Sequence, residues 1–483
     1  MITEWGGTDR VYPRVTFGAL PDDVLLEMFD FYLALRYFIP DTWHTLVHVC
    51  KQWRSIVFAS PHRLRLQLLY TNKRSVQNML GIWPELPIVI SGCGGMSEPQ
   101  DANNILAVLE RHNHVVKIDL DFISDTCLNS MRAMKMRNPF LVLTSLRLHS
   151  TQKKVPALPV SFLGGSVPRL QTLYLDGISF PALPTLLLST HDLVDLSLLE
   201  IPLSGYISPE AMVSGLSALT RLKSLRLEFR SPRSRANREN RLLPRLPRVV
   251  LPSLTELYFK GDSEYLEDIV AQMDTRPLTL FKITFFNQLI FDTPSLRHFI
   301  NRTETFKAAH RARVTFWEGE VGVELYPRNG NSIHEMSSLT ISCRPSDWQL
   351  SSIVQVCGSA LSPLLTLECL EIYIDRSWTD DVENTQWVEL LHPFTSIKDL
   401  FLYDESIPYV ALALEQLAEE RVTEALPTLQ NIFLDDPQPS EPVKKMIGKF
   451  VAARQLSDWP VSVHHRGSWQ SSTWQQMHWE VGD

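Results

Sequence analysis

Leu143-Thr-Ser-Leu-Arg-Leu148 and Leu170-Gln-Thr-Leu-Tyr-Leu175 are two copies of one unit, apolar-x-x-apolar-x-apolar, and that unit decides the fold. Its last two apolar residues are two apart. On a strand they point the same way, so each copy has one aliphatic face to bury. The first apolar residue lies on the approach turn. Upstream the unit appears as Val115-Val-Lys-Ile-Asp-Leu120. Downstream it appears at Leu193–Leu198, Leu222–Leu227, Leu254–Phe259, Leu280–Phe285, Met336–Ile341, Leu367–Ile372, Ile397–Leu402 and Leu429–Leu434. A degenerate copy is read near Val314-Thr-Phe316. Successive starts are mostly 23 to 32 residues apart.

Helical patterns fill the gaps, at residues 102–111, 209–216, 265–273, 350–356 and 410–417. One strand and one helix cannot bury their apolar faces alone, whereas many stacked together share a continuous core. The chain from Leu86 to Pro437 therefore resembles a leucine-rich-repeat domain. The resemblance implies an α/β solenoid, a curved parallel sheet with outer helices. In that family Asn or Cys often follows three residues after the last Leu. Here those positions are Ile123, Thr151, Ile178, Ile201, Arg230, Asp262, Arg344 and Asp375, so the repeats are expected to be irregular.

The resemblance also places the residues between and beside each inward pair on the concave side. Between the pairs are Asp119, Arg147, Tyr174, Ser197, Arg226, Tyr258, Thr284, Thr340, Glu371, Phe401 and Phe433. Phe286, Tyr373, Tyr403 and Asp435 are among those beside them. Aromatic side chains outside a core are the usual anchors of protein recognition. Expected partner-binding residues are Tyr174, Arg226, Tyr258, Phe286, Tyr373, Phe401, Tyr403 and Phe433.

Ahead of the array stands a short helical head. Leu20-Pro-Asp-Asp-Val-Leu-Leu-Glu-Met-Phe29 has proline where a helix begins and acids in its first turns. Trp43-His-Thr-Leu-Val-His-Val-Cys-Lys-Gln-Trp-Arg-Ser-Ile-Val57 repeats the apolar spacing. So few residues bury little on their own. The combination Leu-Pro-x-x-Val-Leu, then Met-Phe, then Val-Cys-Lys-x-Trp-Arg resembles an F-box. In that family the module docks on the adaptor of a cullin-RING (SCF-type) ubiquitin ligase. The matching positions, expected to bind the adaptor, are Leu20, Pro21, Leu25, Met28, Phe29, Val49, Cys50 and Trp53, with Arg54 completing the motif. Arg36–Thr42 is longer and more aromatic than the usual connection.

Four regions follow: a flexible 1–16, an F-box over 17–66, the repeat domain over 67–437 and a C-terminal cap helix and Trp-rich tail over 438–483. The repeat domain carries a basic insertion at 229–248, with arginines at 230, 233, 235, 238, 241, 245 and 248. That insertion reads as a solvated loop, or as a contact for phosphate or an acidic partner. The tail holds Trp459, Trp469, Trp474 and Trp479 with His464, His465 and His478, and is expected to pack its tryptophans on the last repeat.

The 483 residues carry a net charge of −8 and a 44% apolar share, which points away from nucleic acid as a partner. No window approaches a membrane span, and no secretory signal opens the sequence. A cytoplasmic or nuclear location is expected. The six cysteines include no C-x-x-C pair, so neither zinc nor a redox framework is expected. Phosphate-binding, dinucleotide-binding, zinc-protease and nucleophile-elbow motifs are missing. Asp119, Asp121 and Asp125 lack the glycine and closing glutamate of a calcium loop. The expectation is therefore no catalytic residue, no cofactor and no metal. The sequence reads as a substrate receptor of a ubiquitin ligase, joined to a cullin through the adaptor and holding an unidentified target protein. The alternative is a repeat scaffold unconnected with ubiquitin.

Overall fold

A computed structural model describes residues 20–35, 43–61, 63–64, 66–70, 86–92, 105–123, 127–129, 131, 138–152, 157–232, 248–276, 278–288, 291–303, 309–327, 337–342, 349–359, 361–376, 378, 384–420, 422 and 424–465. The alternating Leu units become strands. They are β1 (Leu68–Tyr70), β2 (Ile88–Gly92), β3 (Val115–Leu120), β4 (Ser145–His149), β5 (Thr172–Asp176) and β6 (Asp195–Ile201). Next come β7 (Ser224–Phe229), β8 (Val249–Leu251), β9 (Glu256–Gly261), β10 (Met273–Thr275), β11 (Leu280–Phe286) and β12 (Ala309–Trp317). The last six are β13 (Glu320–Pro327), β14 (Ser337–Ser342), β15 (Cys369–Ile374), β16 (Asp399–Leu402), β17 (Asn431–Leu434) and β18 (Ser462–His465).

Sixteen of these strands form one sheet, in the order β1-β2-β3-β4-β5-β6-β7-β9-β11-β14-β13-β12-β15-β16-β17-β18. Nearly every pairing is parallel. The inward residues of each unit, such as Leu146 and Leu148 or Leu173 and Leu175, are at most 3% exposed. They share one apolar cluster with the helices, which occupy the expected gaps at Pro209–Leu216, Ser263–Gln272, Gln349–Ser359 and Ile407–Glu420. The result is a mixed α/β fold on a large, mostly parallel sheet, as a leucine-rich-repeat solenoid requires.

Two expectations about the units fail. The stretch near Val314 is not one more parallel copy. Instead β12 and β13 form an antiparallel hairpin across Glu318-Gly319, and β13 pairs antiparallel with β14 as well. The chain thus runs backwards through three strands, β14 lying beside β11 and β12 beside β15. The units read at Leu280–Phe285 and Met336–Ile341 are also out of phase, Leu339 pairing with Ile283 as Ile283 pairs with Phe259. Leu257 and Phe259 pair with Phe281 and Ile283, so the first of these units begins at Leu278, which is 1% exposed. A slip of two keeps the same side chains inward, which is why both phases satisfy the pattern.

The missing Asn ladder is replaced in two ways. Ile123, Ile178 and Ile201 are buried, and the backbone ladder runs on past the strands. Ile123 N–H donates to the His149 carbonyl at 2.9 Å, Ser150 to Asp176 at 2.9 Å and Gly177 to Leu199 at 2.9 Å. At the opposite strand ends, threonine hydroxyls stitch repeats together. Thr144 donates to the Val116 carbonyl at 2.9 Å, Thr255 to Lys223 at 3.2 Å and Thr279 to Thr255 at 3.0 Å.

Helices are stitched as well. Pro294 opens the Pro294–Arg302 helix, yet Thr293 makes no side-chain cap. Glu267, 7% exposed on the preceding helix, supplies one instead: it accepts from Ser295 N at 2.6 Å and Leu296 N at 2.8 Å. A carboxylate there satisfies orphan donors and sits on the positive end of the helix dipole. Glu267→Ala should therefore cost about 2 kcal/mol. The loss would be read by urea unfolding, with Glu267→Gln losing less.

The array is closed at both ends. At the C-terminus, the Glu441–Leu456 helix carries Arg454, which is 0% exposed. Its guanidinium donates to the carbonyls of Val422, Pro427 and Leu429 at 3.4, 3.0 and 3.2 Å. At the N-terminus the head forms α1 (Asp22–Leu35), α2 (Trp43–Val47) and α3 (Lys51–Ala59). Trp43, 1% exposed, anchors it through Nε1, which donates to the Gln67 carbonyl at 2.7 Å just before β1.

The expectations for residues 1–16, for most of the basic insertion and for the tail beyond His465 lie outside the described residues. So do Arg36–Thr42, Cys93 and Cys343. Leu64 and Leu66 are buried, but the strand expected from Leu64 begins only at Leu68.

Candidate functional site

Two surfaces stand out: the sheet face turned away from the inward leucines, and one side of α1. Strand register settles the first. Asp119, Arg147, Tyr174, Ser197, Arg226 and Tyr258 lie in one row across β3 to β9. The row continues through Lys282, Ser338, Glu324, Arg313, Glu371, Phe401, Phe433 and His464. Thr284 and Thr340, which pair with each other, lie one step further along, opposite Lys260, because of the phase shift in β11 and β14.

The first half of this face is open and its charges are matched. The Arg147 guanidinium lies 4.3 Å from the Tyr174 ring centroid, and Arg226 repeats the arrangement at 5.2 Å from Tyr258. Lys117 pairs with Asp119 at 3.0 Å, and Arg226 with Glu228 at 2.5 Å. Lys260 and Arg230 reach Glu200 at 3.1 and 3.7 Å. Glu200 sits on a bulge in β6 with φ 46°, a conformation costly for a residue with a Cβ. The Tyr174 hydroxyl donates to Asp176 at 3.1 Å. Burial, then the Asp176 carboxylate, raises the Tyr174 hydroxyl above its usual range. Burial, then Glu256, does the same for Tyr258.

The second half is closed and aromatic. Glu371, 1% exposed, accepts from Arg311 at 3.1 Å and Arg313 at 2.8 Å. Both guanidiniums lie against the Tyr326 ring of the reversed strand, at 4.5 and 5.7 Å. Burial alone would lower Arg313, but Glu371, Tyr326 and Tyr403 together outweigh it and hold the guanidinium charged. Burial raises Tyr326 and Tyr403 well above the usual tyrosine range. Beyond Glu371 the rings stack along the row. Phe401 lies on Phe433 at 4.4 Å and 8°, and Phe433 on His464 at 4.9 Å and 19°. Tyr373 and Tyr403 meet edge to face at 5.9 Å.

Of the expected partner-binding residues, Tyr174, Arg226, Tyr258, Tyr373, Tyr403 and Phe433 are half-buried on this face. Phe286 and Phe401 are 9% exposed each and are not available as anchors. Phe286 has joined the apolar cluster at the end of β11, and Phe401 lies under Phe433. His464 and His465 are successive residues of a strand, so they point to opposite faces and cannot share a metal. Among the described residues no group of three His, Cys, Asp or Glu is placed to hold one. Burial pushes the Cys357 thiol up to about 12, which leaves it unreactive.

On α1 the expected adaptor-binding residues divide. Leu25 and Phe29 are 0% and 2% exposed and form the head's own core, with Phe29 4.7 Å from Trp53. They hold the helix in place and offer nothing outward. Leu20 and Trp53 are half-buried, and Pro21 and Cys50 exposed. The Cys50 sulfur caps α3, accepting from Trp53 N at 3.4 Å. Met28 and Val49 are exposed at 41% and 59%. The sequence reading passed over Val24 and Phe31, 40% and 67% exposed. Val24, Met28 and Phe31 follow the i, i+4, i+7 spacing, so α1 carries a second apolar stripe beside the buried one. That spacing was the available signal.

Among the described residues no helix is long and apolar enough to cross a membrane. No family model matches the chain, and no curated protein matches it. Among solved structures, the leucine-rich repeat-containing protein LegL7 from Legionella pneumophila is similar at 12% identity, over 79% of this chain and 97% of that one, with a TM-score of 0.25. A TM-score at that level carries no argument, and the solenoid description stands on the sheet order and register alone.

Proposed function

We propose that this chain is the target-recognition subunit of a cullin-RING ubiquitin ligase. Its head docks on the ligase adaptor, and the outward sheet face holds a target protein. The observation that carries this reading is the second stripe on α1. A short helix packed on its own core by Leu25 and Phe29 has no structural need for Val24, Met28 and Phe31 in water. Exposed apolar side chains in a contiguous row mark an interaction surface. The Leu20-Pro21 and Val49-Cys50-Lys51-x-Trp53-Arg54 pattern supports the F-box identity of that surface. Catalysis then belongs to other subunits. This chain raises the target's effective concentration beside a ubiquitin-loaded enzyme.

Met28→Asp with Phe31→Asp should abolish co-purification with the adaptor, since each charge would be buried without a partner. Its unfolding midpoint should stay near that of the wild type, because both sites are exposed in the free chain. Retained adaptor in a folded double variant rejects the ligase reading. A chain that never recovers an adaptor, yet binds a protein through the sheet, would be a repeat interaction scaffold.

A further inference from the structure

Across the open half of the outward face acids and bases pair off, as Lys117 with Asp119 and Lys260 with Glu200 show. The corner over the C-terminal ends of β3 to β5 departs from that rule. Left-handed backbone occurs along this rim at Phe122, two residues past β3, at Gly177, just past β5, and at Glu200, near the end of β6, with φ 56°, 67° and 46°. Glycine adopts this conformation freely, whereas a residue with a Cβ is strained in it. Glu200 is held there by ion pairs with Lys260 and Arg230 at 3.1 and 3.7 Å. Phe122 is placed differently. Among the described residues its one ring contact is His149, at 5.0 Å between centroids, and it is 47% exposed. A strained residue that keeps a large ring in water points to a use for that ring.

Two carboxylates flank this ring pair. Asp121 Oδ1 lies 3.9 Å from His149 Nδ1, and Asp176 Oδ2 lies 3.8 Å from His149 Nε2, both beyond hydrogen-bond length. A neutral imidazole has a single N–H, so it cannot serve both. Asp176 also accepts from the Tyr174 hydroxyl at 3.1 Å. Among the described residues, His149 is the one basic group within ion-pair distance of either carboxylate. The neighbouring cations are engaged elsewhere, Lys117 with Asp119, Arg147 over the Tyr174 ring at 4.3 Å and Arg230 with Glu200. The Asp121 and Asp176 side chains are 37% and 20% exposed, so each can meet a group from outside. An aromatic face edged by carboxylates is complementary to a guanidinium, which is planar, rich in N–H donors and stacks on rings. The chain makes that contact within itself twice on the same face, with Arg147 over Tyr174 and Arg226 over Tyr258.

We propose that this corner, anchored by Phe122, takes an arginine side chain of the target protein, with the guanidinium over the Phe122 and His149 rings and between Asp121 and Asp176. The inference rests on the reading of the outward face as the target-binding surface and gives the target its chemistry. It does not depend on the adaptor.

The test uses the full chain and a fluorescein-labelled glycine-serine peptide carrying arginines, followed by anisotropy. The comparison peptide carries citrulline instead, which keeps the shape and lacks the charge. The arginine peptide should bind, and more weakly at high salt. The citrulline peptide should bind about tenfold more weakly. Asp121→Asn with Asp176→Asn should weaken arginine-peptide binding about tenfold, as expected for the loss of two ion pairs. Phe122→Gly should weaken it about fivefold while relieving the left-handed backbone. Asp195→Asn with Glu256→Gln removes two carboxylates elsewhere on the face and should leave binding unchanged. Thermal melts confirm that the variants are folded. An equal loss in the Asp195/Glu256 variant would mean attraction to the net charge of the whole chain, and would overturn the proposal. So would equal binding of the two peptides, no binding of the arginine peptide, or unchanged binding in the Phe122 or the Asp121/Asp176 variant. A chain that binds the arginine peptide at this corner but recovers no adaptor upholds this inference and sinks the ligase reading. Adaptor recovered by a chain indifferent to the peptide does the reverse.

Discussion

Glu371→Ala is expected to cost about 3–5 kcal/mol, because it strands two half-buried arginines whose shared counter-charge is that carboxylate. Glu371 is 1% exposed, and the Arg311 and Arg313 side chains are 18% and 29% exposed. Neither guanidinium is free enough to recover its hydration by a small rotation. The removed Cγ methylene and carboxylate also leave a void between β12 and β15. Glu371→Gln should lose less, since it keeps the volume and one acceptor. The decisive comparison is Glu371→Leu combined with Arg311→Met and Arg313→Met. With no charge left to desolvate, that triple variant should recover most of the stability. Urea unfolding, with hydrogen exchange at β12 and β15, reads the effect. If the triple variant is as unstable as Glu371→Ala, uncompensated charge is not the cause.

Gly177→Ala should be nearly as damaging, at about 4 kcal/mol. Gly177 adopts φ 67°, and a Cβ there would lie 2.2 Å from the Ser150 carbonyl oxygen. That carbonyl belongs to backbone, not to the flexible end of a side chain. Relief requires moving the turn, whose Gly177 N–H and Ser150 N–H both hold neighbouring repeats. Gly165→Ala provides the contrast. Its φ is similar at 72°, but its nearest neighbour is 4.0 Å away, so it should lose only the cost of the left-handed backbone. Equal losses at the two sites would show that backbone conformation, not crowding, sets the requirement for glycine.

The repeat was legible in the sequence because its physics is local. Two aliphatics two apart, bounded by turns, leave little choice about which face goes inward, and Leu173 and Leu175 obeyed. Direction was not legible. Val321, Val323 and Leu325 alternate on β13 just as a parallel unit would, since alternation says which face is buried and nothing about the sense of the neighbouring strand. The two-residue turn Glu318-Gly319 was the signal for reversal. The outward row was legible in identity, apart from the phases of β11 and β14, which put Lys282 and Ser338 in it in place of Thr284 and Thr340. Its exposure was not: whether Phe401 faces water depends on Phe433, whose unit lies some thirty residues on in sequence. On α1 both apolar stripes were present in Val24, Leu25, Met28 and Phe29, but only packing showed which one the protein keeps for itself.

The backward passage through β12, β13 and β14 also bears on how the array comes apart. In an uninterrupted solenoid each unit leans on its sequence neighbours, so fraying spreads from an end one unit at a time. Here β11 leans on β14 and β15 on β12, so neither flank finds its neighbour until the whole meander is laid down between them. The meander acts as a firebreak. Melting that starts at the N-terminal end should halt at β11, and the last four strands should dissolve as a separate, second event in calorimetry.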